Sequence, residues 1–434
     1  MANRIILGLV GLFLTLTAYA GPQIEQWKTE KGARVYYVSA PELPMIDVKI
    51  VFDAGSAQDK DLPGTALLTN AMLAEGAGGK TADQISAAFE DVGANFGNAS
   101  QRDMATLSLR SLTAEPALSN ALNALNLVLT QPEFPQAAFE RLQKQVLLGL
   151  QAENQSPRAL SVRAFYANVF GEHPYANMPI GQAEVVEQLN VKTLKKFYQQ
   201  YYVARNATVV IVGAIDKAQA KSITEQLMAD LPEGEIADPL NQVSALTEAK
   251  QIQIEHPSQQ THILMGQPGI SRGDPDYFPL YVGNHILGGS GLVSQLSNEV
   301  REKRGLSYST YSYFRPMHQQ GPYQFGLQTR NDQTKEALEV MQATLRAFIV
   351  NGPTSEELTA AKQNITGGFA LRIDSNSKIA DYLAMIGFYG LPLTYLDTFK
   401  DKVMAVTAVD IKSAYEHRVH PDKMVTIMVG GKAE

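Results

Sequence analysis

Apolar residues in "ARVYYVSAPELPMIDVKIVFDAGS" (Ala33–Ser56) cluster twice, the second time alternating with polar ones, which predicts two strands. "AKQIQIEHPSQQTHILMGQPGI" (Ala249–Ile270) predicts two more at a similar place in the second part of the chain. Each pair is followed by an apolar helix, a glycine-containing turn, a further helix and an alternating strand pair. That pair is "ANFGNASQRDMATLSLRSL" in the first part, and "LSYSTYSYF" with "GPYQFGLQTR" in the second. Long helical patterns follow, such as Gln136–Asn154 and Ser355–Phe369. Each part then closes on a buried strand that ends at a glycine turn, "NATVVIVGAID" and "DKMVTIMVGGK", so that Gly213 and Gly430 correspond. An amphipathic helix with aromatic residues precedes both, "VKTLKKFYQQYYV" and "AVDIKSAYEHRVH". The pattern is that of a duplicated α+β chain: two homologous halves, each a mostly antiparallel sheet with helices packed on one face.

The aperiodic segment "LPEGEIADPLNQVSALTEAK" (231–250) reads as the linker. It divides an N-terminal α+β domain (21–230) from a C-terminal one (251–434). The first twenty residues, "MANRIILGLVGLFLTLTAYA", carry Arg4, an apolar run from Ile5 to Leu16 and small residues at Ala18 and Ala20. This is the pattern of a secretory signal peptide with cleavage before Gly21. An uncleaved anchor is the alternative, but the run is short for a membrane span. No other stretch approaches transmembrane length.

With 434 residues, 45% apolar and 19% charged, the composition is that of a globular protein of two or more domains. A net charge of -7 argues against non-specific nucleic-acid binding, which needs a basic face. The chain has no cysteine, which excludes disulfides, thiolate chemistry and a cysteine-borne lipid anchor. A cysteine-free exported chain fits the periplasm of a Gram-negative bacterium.

Candidate chemistry is sparse. No two of the seven histidines have the four-residue spacing of a helical zinc site. His417 and His420, three apart among cations, read as a surface pair, and His173 before Pro174 as a loop-fixing residue. No G-x-S-x-G elbow occurs. "LGGSGLVSQL" (Leu287–Leu296) lacks the Walker lysine and reads as a flexible turn rather than an anion cradle. In "NEVREKRGLSYSTYSYF" (Asn298–Phe314), Arg301 falls near a helix end that Gly305 terminates, and Tyr308 begins a strand. Two such donors suit a peptide carbonyl or a developing oxyanion; a surface arginine with a packing tyrosine is the competing reading.

"LGGSGLVSQLSNEVREKRGLSYS" resembles the C-terminal-half signature of the pitrilysin-type (insulinase-type) zinc metallopeptidases, which include the mitochondrial processing peptidases. "DAGSAQDKDLPGTALLTNAML" is similar to that family's zinc-helix region, and Phe170–Asp216 to its next block. The resemblance implies two repeated α+β domains arranged as a clamshell. It also places the inverted zinc motif H-x-x-E-H on Leu67, Leu68, Thr69, Asn70 and Ala71. Both histidine positions, Leu67 and Ala71, are lost. Asn70 replaces the catalytic glutamate, and "QVLLGLQ" (Gln145–Gln151), where the distant ligand falls, holds no carboxylate. The expectation is therefore no metal and no catalytic residue on this chain. Arg301 and Tyr308 remain at the family's substrate-binding positions, with Gly288, Gly289 and Gly291 forming the turn beside them. By resemblance the chain is the non-catalytic, substrate-binding subunit of a periplasmic heterodimer. The partner is a homologous H-x-x-E-H subunit that holds the zinc and cleaves peptides. The alternative is a structural or peptide-binding scaffold with no protease partner. With no ligands around it, Asn70→Asp is expected to be silent.

N-terminal sequencing of the exported product is expected to begin at Gly21. A membrane-bound product beginning at Met1 would refute the signal reading.

Overall fold

A computed structural model describes residues 22–431; the segment read as an export signal, 1–20, lies outside the described residues. The N-terminal half is built on β1 (Glu25–Lys28), β2 (Arg34–Ser39) and β3 (Met45–Phe52). A two-residue hairpin follows, β4 (Gly76–Ala77) and β5 (Lys80–Thr81), then β6 (Asn95–Ser100), β7 (Ala105–Leu112) and, after a run of helices, β8 (Ala207–Gly213). The C-terminal half supplies β9 (Lys250–Ile254), β10 (Gln260–Pro268), β11 (Thr310–Phe314), β12 (Pro322–Arg330) and β13 (Val425–Val429). Residues 231–249 carry neither helix nor strand.

The two sheets repeat one topology. The first runs β1-β2-β8-β3-β7-β6 and the second β11-β12-β10-β13-β9. Read in the same direction, β2, β8, β3, β7 and β6 match β9, β13, β10, β12 and β11. Even the lone parallel pairing recurs, β2 with β8 and β13 with β9, while every other neighbour pair is antiparallel. The glycines that close the repeat have one job. A Cβ on Gly213 would sit 2.4 Å from the Met45 carbonyl oxygen, and one on Gly430 2.6 Å from that of Gln260. Only glycine lets the last strand approach the start of its neighbour so closely.

The duplicated α+β class stands as read, but helices cover both faces of each sheet. In the all-buried strand β8, Val209 and Ile211 face a core formed with the half's own helices. Val210 and Val212 point the other way, into a core formed with the opposite half. There the C-terminal-half helix Asn376–Tyr389 lies across β8 and β3. The reverse holds on the second sheet, where Leu264, Ile427 and Val429 pack beneath Phe165 and Val169 of the N-terminal-half helix Pro157–Phe170. The fit is close on both sides. A Cβ on Gly266 would meet the Phe165 ring at 2.9 Å, and one on Gly387 would meet the Tyr36 ring at 2.4 Å. For the alternating strands the pattern told only that one face was apolar; the second apolar face, already legible in the two closing strands, is covered by this exchange of helices.

A polar knot closes the seam. Asp103, 4% exposed, accepts hydrogen bonds from the Tyr175 hydroxyl (2.6 Å), the Tyr389 hydroxyl (2.9 Å) and the His318 amide (2.8 Å). Tyr175 comes from the first half, Tyr389 and His318 from the second. Burial, followed by the Asp103 charge, pushes both tyrosine hydroxyls far above their usual range, so they stay protonated donors. His173 ties the linker in: its Nδ1 accepts from the Tyr175 amide (3.1 Å), and its Nε2 faces the Asn241 carbonyl oxygen (3.0 Å). With that acceptor opposite it, Nε2 carries the proton.

Phe165→Ala is expected to lower the unfolding free energy by about 3–5 kcal/mol, the usual cost of emptying an aromatic core site. Denaturant unfolding should remain a single transition for both halves. Two separated transitions in the wild-type chain would contradict the interlock.

Candidate functional site

The Thr65–Met72 helix is started by a residue the sequence reading passed over. Asp59, 5% exposed, accepts the backbone amides of Gly64 (2.8 Å) and Ala66 (2.7 Å), two donors that a helix start otherwise leaves unpaired. Burial pushes its carboxyl up to about 8, against the two amides, which pull it down. The only signal was an acidic residue shortly before "LPGT".

Leu67 and Ala71, four residues apart, share the half-buried face of this helix, where Leu and Ala present no donor atom to a metal. Asn70, 2% exposed, points into the core. Its Nδ2 donates to the Tyr202 hydroxyl at 3.2 Å, and lies 3.5 Å from the Thr106 carbonyl oxygen. Its backbone carbonyl oxygen accepts from Asn98 Nδ2 at 2.6 Å. Tyr202 is fully buried against Phe52, ring centroids 4.8 Å apart, and burial drives its hydroxyl far above the ordinary range. Asn70 is thus the hydrogen-bond partner of a core tyrosine. The neighbouring Gln136–Glu153 helix carries Val146, Leu147, Leu148 and Leu150 where a third ligand would stand. Among the described residues, no group of three His, Cys, Asp or Glu is placed to hold a metal ion. The donor set at these positions does not fit zinc.

The C-terminal half is different. Two wide turns with i to i+5 hydrogen bonds interrupt its helices: Ser290 N to His285 O at 3.0 Å and Lys303 N to Asn298 O at 3.0 Å. Such turns are rare and concentrate at functional sites. Gly288 and Gly289 lie in the first. A Cβ on Gly288 would strike Ser312 Oγ at 2.3 Å, and one on Gly289 Asn284 Nδ2 at 2.9 Å. Gly291 has φ +66°, and the residues after it, Leu292 and Val293, are exposed. Arg301 lies in the second wide turn, its Nε 3.5 Å from Glu302 on the same turn. Gly305, φ +63°, ends the helix as predicted, and the Leu306 amide bonds back to the Val300 carbonyl oxygen at 2.9 Å.

Tyr308 precedes its strand rather than beginning it: β11 starts at Thr310, and Tyr308 is held out on a turn fixed by Ser307. It is 88% exposed, with no hydroxyl partner among the described residues. The two donors stand on either side of Gly305. Among the described residues no hydrogen bond joins their side chains. His417 and His420 lie elsewhere, near Ser413 and Gln267.

The family model described as insulinase, peptidase family M16, matches residues 34–182, and that described as the peptidase M16 inactive domain matches residues 188–365. A crystal structure described as a peptidase M16 inactive domain from Pseudomonas fluorescens is 39% identical. It superposes with a TM-score of 0.92 over 94% of this chain and 98% of that one. A Helicobacter pylori protein described as the non-peptidase homolog YmxG is 24% identical over 440 residues, covering 100% of this chain and 99% of the relative. A Bacillus subtilis protein described as an uncharacterized zinc protease, also YmxG, is 22% identical over 82% of this chain and 86% of its own length.

The geometry overturns the expectation that Asn70→Asp is silent. A carboxylate there loses the N–H that serves Tyr202 and brings a buried negative charge towards the Thr106 carbonyl oxygen, and a poorly compensated buried charge costs about 3–5 kcal/mol. Burial raises the folded-state pKa above the unfolded value of about 3.9, so the folded chain holds the proton longer. The deficit should therefore be small below about pH 4 and grow as pH rises. Denaturation of the variant and wild type from pH 4 to 8 checks this; a pH-independent difference contradicts it.

Proposed function

Because the chain belongs to the insulinase-type M16 peptidase family yet carries none of its metal-binding residues, we propose that it is the non-catalytic, substrate-binding subunit of a two-chain zinc metallopeptidase. The partner would be a homologous H-x-x-E-H chain, which holds the zinc and cleaves a peptide between the two. Periplasmic localisation is part of the proposal and rests on the signal at 1–20.

One contrast carries the reading. The N-terminal-half motif positions are occupied by apolar side chains and an amide spent on the core. The C-terminal-half donors remain available, with Tyr308 88% exposed and Arg301 paired, among the described residues, with its sequence neighbour Glu302. A tyrosine ring exposed to that degree buries little apolar surface in the isolated chain. In the pair, the Tyr308 hydroxyl and the Arg301 guanidinium would donate to the scissile carbonyl oxygen and to the negative charge that grows on it. The partner would supply the metal and the carboxylate base. The glycine turn, with exposed Leu292 and Val293, would border the peptide. A scaffold without a protease partner is the second reading, favoured by the "non-peptidase" description of the full-length Helicobacter relative.

In a reconstituted pair, Tyr308→Phe is expected to leave assembly intact and lower kcat by about a hundredfold, the usual loss for one oxyanion donor. Arg301→Ala should do likewise and also raise KM. The zinc of the complex should travel with the partner, with none held stoichiometrically by this chain. Full activity in the double variant, or failure to associate with any H-x-x-E-H homologue, would favour the scaffold.

A further inference from the structure

The two main sheets match strand for strand except at one edge. β2 of the first sheet is covered on its outer side by β1, whereas β9, its counterpart in the second, ends its sheet. The side chains show the difference. Val35, Tyr36, Tyr37 and Val38 of β2 are all buried, while Ile252 and Ile254 of β9 are only half-buried. The Lys250 amide donates to the Met424 carbonyl oxygen (3.2 Å), and the Ile254 carbonyl oxygen accepts from the Gly430 amide (3.1 Å). The even-numbered residues of β9 therefore bond to β13, and the backbone N–H and C=O groups of Gln251 and Gln253 turn outward. Among the described residues no hydrogen bond reaches those outward groups. The opposite edge of the same sheet is closed: the Ser312 carbonyl oxygen of β11 accepts from Asn284 Nδ2 (2.9 Å), and the turn at Gly288 packs against Ser312.

An open edge is a template for another extended chain, and edges that stay single are commonly blunted by proline, a bulge or an outward charge. β9 has neither proline nor glycine and keeps an unbroken register with β13. Its one lysine, Lys250, is turned aside to Asn168 Oδ1 (2.5 Å).

We propose that β9 pairs antiparallel with β9 of a second copy, joining the two five-stranded sheets edge to edge. The strand is complementary to itself. A two-fold axis through Gln253 sets Ile252 opposite Ile254 of the second copy, and Ile254 opposite its Ile252, so the half-buried isoleucines cover each other. Gln253 exchanges both backbone bonds with its own copy. The Lys250 end of each strand meets the Glu255 end of the other, where a parallel pairing would set like charges together. Because an isologous contact closes on itself, association stops at the dimer. β9 and β11 are opposite ends of the sheet, so the pairing leaves Arg301 and Tyr308 open and does not depend on the role given to them.

Sedimentation equilibrium of the exported chain alone is expected to show reversible dimerisation between micromolar and sub-millimolar concentration. Gln253→Pro, which removes an outward N–H without touching the backbone ladder to β13, should weaken the dimer by about tenfold or more. The absence of cysteine allows a test of register. Diamide should oxidise Gln253→Cys to a disulfide-linked dimer, because residues that exchange both backbone bonds stand about 5.5 Å apart between Cα atoms, within disulfide reach. Gln251→Cys should stay unlinked, since its two copies lie four residues along the strand from each other, about 14 Å apart. Thermal unfolding reports whether each variant is folded, and if Gln253→Pro is not, the two cysteine variants decide. A chain that stays monomeric throughout the range, equal cross-linking of both cysteine variants, or a folded Gln253→Pro variant that dimerises undiminished would overturn the proposal. So would a monomeric chain whose association with an H-x-x-E-H homologue is lost in Gln253→Pro, which would assign the edge to that partner.

Discussion

Each sheet in this protein has two apolar faces and only one set of its own helices to cover them. Everything else in the structure follows from how the second face is buried. The first half gives the Pro157–Phe170 helix to the second sheet, and the second half gives the Asn376–Tyr389 helix to the first. Neither half can leave without exposing a complete sheet face, and apolar burial at roughly 25 cal/mol per Å² makes such exposure expensive. The duplication is therefore one cooperative unit with a fixed relation between its halves. Asp103 at the seam, held by donors from both, specifies the register at which they meet.

That rigidity explains how a lost metal site can leave the fold untouched. A catalytic zinc site demands polar groups held against their preference for water. Here Leu67 and Ala71 remove that demand, and Asn70 converts the remaining inward position into a satisfied hydrogen bond with Tyr202. The Thr65–Met72 helix no longer owes its place to a metal; Asp59 caps it and the core holds it. In the second half the wide turns at His285–Gly289 and Asn298–Glu302, the glycine turn and the exposed Tyr308 have not been simplified in the same way.

Periodicity, glycine positions and the repeated closing strand were sufficient to read the α+β class and the duplication, because strand alternation and glycine turns are local consequences of side-chain type. The missing zinc ligands were equally legible: no arrangement of Leu67, Asn70 and Ala71 supplies three metal donors. The sequence by itself also marked Gly305 as a helix end, since that depends on a few adjacent residues. What only the tertiary structure decided is long-range. That Asn70 serves Tyr202, 132 residues away, depends on packing between elements no local pattern connects. That Asp103 gathers Tyr175, His318 and Tyr389 depends on the same thing. So does the exchange of helices, because an apolar helix face reads the same in sequence whichever sheet it covers.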